Sequence, residues 1–127
     1  GYEPKVIFMP HLIPMTRGIF DTVYADFVPD AFDSPEQAKT GVRALYDEYY
    51  ADDPFVHVVD APPQTKQTWG NNDCLVYPTV DSRTGKLVVF AVLDNLVKGA
   101  AGQAVQNFNV AFALPETAGL EQEPLFP

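Results

Sequence analysis

Seven consecutive apolar residues, Leu87-Val-Val-Phe-Ala-Val-Leu93, run without a break into Asp94-Asn-Leu-Val-Lys-Gly-Ala-Ala-Gly-Gln-Ala-Val-Gln-Asn107. The first run is strand-like in composition but does not alternate, so both of its faces have to be covered. A buried strand then delivers an amide (Asn95) and a lysine (Lys98) to the start of a helix of small residues. Gly99 and Gly102 fall in the first turns of that helix, where each glycine costs about 1 kcal/mol relative to alanine. They require a reason, either close packing or backbone approach to a ligand.

The rest of the pattern supplies partners for that strand. Lys5 to Pro10 and Gly18 to Val28 read as strands, with Ile19, Val23, Ala25 and Phe27 on one face of the second. Pro10 and Pro14 keep His11-Leu-Ile13 extended and irregular between them. Ser34-Pro-Glu-Gln37 is a helix start with a cap, a first-turn proline and a capping-box glutamine. Ala38, Val42, Leu45, Tyr46 and Tyr49 follow on one helical face, and the helix is expected to end near Ala51. Phe55 to Val59 is a short strand, and Lys66 to Trp69 reads as a further one entering the turn at Gly70-Asn-Asn-Asp73. Cys74 to Val80 and Leu87 to Leu93 form a hairpin across a loop containing Gly85. The last helix is expected from about Lys98 to Ala113, stopped by Pro115. The order β-β-α-β-β-β-α implies an α+β fold, a mixed or antiparallel sheet with helices on one face.

The composition narrows the partners. The chain has 127 residues, 46% of them hydrophobic, which suits one packed domain or part of one. Its net charge of −9 and absence of a basic stripe argue against nucleic acid and anionic membrane as partners. No apolar stretch approaches the roughly 20 residues that cross a bilayer, and residues 1–5 lack a signal-peptide pattern. A single cysteine, Cys74, excludes a disulfide framework or a cysteine zinc site and agrees with a reducing compartment.

Few side chains stand out for chemistry. His11, in a proline-pinned turn, suits an acid, base or ligand, or simply a histidine held by a backbone hydrogen bond. Arg17, just before Gly18, suits either a bidentate grip on a carboxylate or phosphate or an ion pair. His57, between apolar neighbours in a short strand, reads as structural. So does Cys74, because its strand setting beside Asp73 opposes thiolate formation. Two distant histidines and scattered carboxylates match no metal-ligand spacing. Asn95 carries donors and an acceptor that suit a carboxamide.

Taken in order, these residues resemble a known family. Phe8-Met-Pro-His-Leu-Ile-Pro-Met-Thr-Arg-Gly-Ile19, Pro54-Phe-Val56, Gly70-Asn-Asn-Asp-Cys74, Asp94 to Asn107 and Leu114-Pro-Glu-Thr-Ala-Gly-Leu120 are similar, in order and spacing, to motifs of N-acetyl-γ-glutamyl-phosphate reductases. An Asp-Asn-Leu-x-Lys-Gly-Ala-Ala pattern also occurs in aspartate-semialdehyde dehydrogenases, whereas His-Leu-x-Pro-Met-x-Arg-Gly favours the arginine-pathway enzyme.

The resemblance implies an NADPH-dependent oxidoreductase of arginine biosynthesis. Such an enzyme forms a thioester on a cysteine and releases N-acetylglutamate semialdehyde and phosphate. The implied architecture is the α+β C-terminal domain of glyceraldehyde-3-phosphate and aspartate-semialdehyde dehydrogenases. Residues 1–94 would be part of the catalytic and dimerisation domain. Residues 95–127 would be a returning helix and tail packed on a dinucleotide-binding domain that lies elsewhere. The chain then resembles a C-terminal third. The nucleophilic cysteine, the acid–base histidine and the glycine-rich fingerprint are expected upstream, so no catalytic residue is assigned here and the chain alone is expected to be inactive. Carried over by position, His11 and Arg17 contact substrate and Asn95 approaches NADP(H), which the upstream domain mainly binds. The implied partners are the small-molecule substrate, the remainder of the enzyme and a second copy. The implied location is cytoplasmic, or an organellar stroma or matrix in a eukaryote. Two alternatives stand beside this one: a free-standing dimerisation module of the same fold, and the related lysine-pathway semialdehyde dehydrogenase.

Overall fold

The computed structural model describes residues 5–125. Four strands form one sheet in the order β1-β4-β3-β2: β1 is Ile19–Ala25, β2 Val56–Val58, β3 Cys74–Val80 and β4 Leu87–Leu93. β4 pairs antiparallel with both β1 and β3, and β2 joins β3 in parallel. The sheet is therefore mixed and largely antiparallel, in an α+β fold.

The uninterrupted apolar run lies between β1 and β3. Val89, opposite Pro78, is buried on one face, and Val88 and Val92 are buried on the other. The non-alternating pattern is thus explained by cover on both sides. Helix α1, Pro35–Tyr49, lies over β3 and buries Ala38 and Val42. Arg43 ties it to the sheet edge by donating to the backbone oxygens of Val58 and Val59. Ser34 caps α1 by accepting from the Gln37 N–H, while Gln37 Oε1 accepts from the Asp33 N–H, one residue earlier than a capping box requires. Leu45 and Tyr49, expected on the core face, are exposed. The buried stripe is limited to Ala38, Val42 and half-buried Tyr46.

Three expected elements take other forms. Lys5 to Pro10 is not a strand: no neighbouring chain pairs with it among the described residues, and Val6, Ile7 and Phe8 stay exposed. Residues Thr65–Thr68 make a 3₁₀ turn instead of the strand expected at Lys66 to Trp69, closed by Gln67 N–H to Gln64 O and Trp69 N–H to Lys66 O. The last helix starts near Lys98 as expected, but its first turn is not α-helical. A single π-type turn, Val97–Ala101, precedes α2, Gly102–Ala111. Its signature is the wide bond from Ala101 N–H to Leu96 O. Ala113, at φ +54, ends the helix in the left-handed region two residues before Pro115.

Candidate functional site

The end of β4 is where polar groups converge. Asp94, the first residue after the apolar run, is wholly buried. A buried carboxylate is costly unless it is paired and hydrogen-bonded, and Asp94 is both. Its Oδ2 lies 2.7 Å from Arg17 Nη2 and accepts the Gly70 N–H at 2.7 Å. Its Oδ1 accepts the Leu96 N–H at 2.8 Å. Burial pushes the carboxyl pKa up, but the two backbone donors and the Arg17 charge outweigh it and hold the group below the ordinary aspartate value.

Asn95 makes the neighbouring link. Its Oδ1 accepts the Gly18 N–H at 2.7 Å. A backbone N–H can only donate, so this bond fixes the amide orientation and leaves Nδ2 facing elsewhere, without a hydrogen bond among the described residues. Gly18 reaches this position with φ +99, and a Cβ there would lie 2.8 Å from Thr65 Cβ. Arg17-Gly18 is thus clamped onto Asp94-Asn95, side chain to side chain and backbone to side chain. Arg17 retains 28% side-chain exposure, and its Nε has no partner among the described residues.

The Gly70 loop ties the node to α2. Asn72 is wholly buried and donates through Nδ2 to Gln106 Oε1 at 3.0 Å. Lys98 Nζ donates to the same oxygen, and Gln106 Nε2 donates to Glu116. A Cβ on Gly102 would stand 2.2 Å from Asn72 Oδ1. One of the two helix glycines therefore serves close packing within this chain, against the Gly70 loop. The tail returns to the same loop, where Leu125 N–H donates to Trp69 O and the Leu125 side chain covers Gly70.

The other expected residues are distributed differently. His11 is exposed, and its Nδ1 meets Met9 O at 2.9 Å, so it is a histidine held by backbone. No hydrogen bond joins it to Arg17 among the described residues. His57 pairs with Asp73 at 3.3 Å. Burial is the main cause that pushes the Cys74 thiol up; Lys98 opposes it, and Asp53 and Asp73 add to it. That agrees with a structural thiol. Among the described residues no group of three or more His, Cys, Asp or Glu could hold a metal ion. Asp94 is the residue that sequence reasoning passed over. The available signal was an acidic residue directly ending a buried strand, which demands a cation and backbone donors.

A family model described as semialdehyde dehydrogenase, dimerisation domain, matches residues 1–95. The chain belongs to this family. Over its full length it is similar to proteins named N-acetyl-gamma-glutamyl-phosphate reductase. That of Heliobacterium modesticaldum is 48% identical over 132 residues, covering 100% of this chain and 36% of the relative. That of Brevibacillus brevis is 46% identical over 129 residues, with the same coverage. That of Aquifex aeolicus is 46% identical over 127 residues, covering 100% of this chain and 34% of the relative. The chain thus spans about a third of the length of the curated relatives it matches. A semialdehyde dehydrogenase dimerisation domain accounts for the mixed sheet. It also makes notable a row of aromatic side chains on the face of the sheet bearing Val88 and Val92. Phe20 and Tyr77 lie 5.7 and 6.2 Å from Phe90, centroid to centroid, and Phe20 is 46% exposed.

Proposed function

We propose that this chain is the C-terminal portion of a reductase that converts N-acetyl-γ-glutamyl phosphate to N-acetylglutamate semialdehyde in arginine biosynthesis, in the cytoplasm. The observation that carries the reading is full-length similarity at 43–48% identity to relatives bearing that name. In this reading Arg17 meets an anionic group of the substrate, because its guanidinium is fixed by Asp94 yet stays partly exposed. His11, exposed on the proline-pinned segment, is a second substrate contact. NADP(H), held mainly by a domain outside this chain, would supply the hydride. The residues present suit only a peripheral contact with it: Asn95 Nδ2 is a fixed donor of the kind a carboxamide oxygen accepts. The described residues include no pair of a nucleophile and its base, since Cys74 is half-buried and its thiol pKa is raised, mainly by burial. The chain alone is inert.

Two exposed apolar surfaces support a larger assembly. Val105, Phe108 and Val110 on α2 and Phe112 just after it are exposed and suit packing against the cofactor domain. The aromatic row through Phe20 and Phe90 suits a second copy, in keeping with the family description. The reading frame that encodes this chain tests the proposal. It is expected to continue upstream through a glycine-rich fingerprint and a Gly-Cys-Tyr-Pro-Thr segment, and the intact source protein is expected to have about three times this chain's mass. A source protein of this chain's mass, with neither segment, refutes it and leaves the free-standing dimerisation module.

A further inference from the structure

We infer that Asp94 is a positioning residue for Arg17, setting the guanidinium so that its remaining N–H groups receive a substrate oxyanion. The inference rests on the substrate role proposed above for Arg17. Asp94 does not reach solvent and touches no substrate itself. Its two oxygens are engaged from three fixed directions, by Gly70 N–H and Arg17 Nη2 at Oδ2 and by Leu96 N–H at Oδ1. Gly70 and Leu96 are backbone donors on two different segments, so the carboxylate cannot rotate to follow the arginine; the arginine must follow the carboxylate. The adjoining bond from Gly18 N–H to Asn95 Oδ1 fixes the backbone from which Arg17 projects.

The guanidinium is thereby held at one corner and unsatisfied at others. Nη2 is committed to Asp94 and Nε is buried without an acceptor among the described residues, whereas Nη1 makes no hydrogen bond among them and the side chain is 28% exposed. An arginine placed only to neutralise Asp94 would be expected to use its planar fork on both carboxylate oxygens, the favoured bidentate geometry. Here Oδ1 is given to Leu96 instead, so the guanidinium pairs with Asp94 through Nη2 and Nη1 is left for another oxyanion. Holding a flexible side chain in its bound geometry before the ligand arrives removes part of the ordering cost of binding. The oxyanion is a phosphate or a carboxylate of the substrate, which share this recognition chemistry.

The experiment uses the full-length protein that carries this chain, comparing wild type with Asp94→Asn, Arg17→Ala, Arg17→Lys and the Arg17→Ala/Asp94→Asn pair. Steady-state kinetics in both directions are read beside thermal unfolding. Asp94→Asn and Arg17→Ala are each expected to raise one KM by about 10- to 100-fold, the size of one lost charge-assisted hydrogen bond. The kcat should stay within about threefold. The pair is expected to be no worse than Arg17→Ala alone, because Asp94 acts through Arg17. In the reverse direction a raised KM for inorganic phosphate identifies the phosphate, and a raised KM for the semialdehyde identifies the carboxylate. If Asp94→Asn does not fold, Arg17→Lys decides: it keeps the charge against Asp94 but loses the fork, and the same KM should rise without loss of thermal stability. Unchanged KM in Asp94→Asn or in Arg17→Lys, or independent effects that multiply in the pair, overturns the inference. A wild-type protein with no acyl-phosphate reductase activity refutes the proposed function instead.

Discussion

Gly102→Ala probes the contact that joins the Gly70 loop to α2. The added Cβ would stand 2.2 Å from Asn72 Oδ1, 2.8 Å from Val97 Cγ1 and 2.9 Å from Val97 C. One of these is backbone and another belongs to a wholly buried side chain, so neither yields as a flexible surface chain would. Overpacking of a tight site costs about 1–3 kcal/mol, and this site belongs at the upper end. Displacing Asn72 also strains its bond to Gln106, worth roughly 1 kcal/mol. Alanine returns about 1 kcal/mol of helix propensity. The expected net loss is about 2–3 kcal/mol, a shift of roughly 1–2 M in the urea midpoint for a chain of this size. Gly99→Ala is the control: its Cβ would stand 3.3 Å from Asp94 O and Leu93 Cδ1 at an exposed position. Its loss should stay under about 1 kcal/mol, because small readjustments suffice there. Urea unfolding of the two variants beside wild type gives the comparison. A Gly102→Ala protein as stable as wild type, or less perturbed than Gly99→Ala, would refute the claim that this glycine exists for close packing on Asn72.

Asp94 gives a pH signature. Its folded pKa is depressed, so its stabilisation is complete above the ordinary aspartate value of about 3.9 and is lost as pH falls through the lower folded value. Acid titration of the unfolding free energy should show a decline below about pH 4 that is shallower in Asp94→Asn, and equal slopes would contradict it. Cys74, with its pKa raised mainly by burial, should react with a thiol-specific disulfide reagent at pH 8 at least about tenfold slower than in urea-unfolded chain; equal rates would show an accessible thiolate. Ala113→Gly should stabilise α2 by about 0.5–1 kcal/mol, because the residue is at φ +54 where glycine carries no steric penalty. A lower urea midpoint in that variant would count against a left-handed cap.

What the sequence disclosed about the fold follows from which forces are local. The hairpin from Cys74 to Leu93 and the start of α1 were legible because strand-like apolar runs, turn residues and a capping serine act within a few positions. Lys5 to Pro10 has strand composition, but a strand exists only with a hydrogen-bonding neighbour, which no local pattern reveals. Lys66 to Trp69 became a 3₁₀ turn because Gln64 and Gln67 satisfy each other's backbone and side-chain groups across one turn. The site was half legible. Arg17 and Asn95 were singled out and do lie together, Arg17 on Asp94 and Asn95 beneath Gly18. Their junction at Asp94 and Gly70 depends on contacts 24 and 77 positions apart in the chain, beyond the reach of spacing. His11 closes a local bond to Met9, and no hydrogen bond joins it to this junction among the described residues.

The most direct test of the central claim is steady-state NADPH oxidation by the full-length protein carrying this chain, with N-acetyl-γ-glutamyl phosphate as substrate. The account predicts turnover by that protein and none by residues 1–127 alone under the same conditions. Turnover by the isolated chain, or none by the full-length protein, would contradict it.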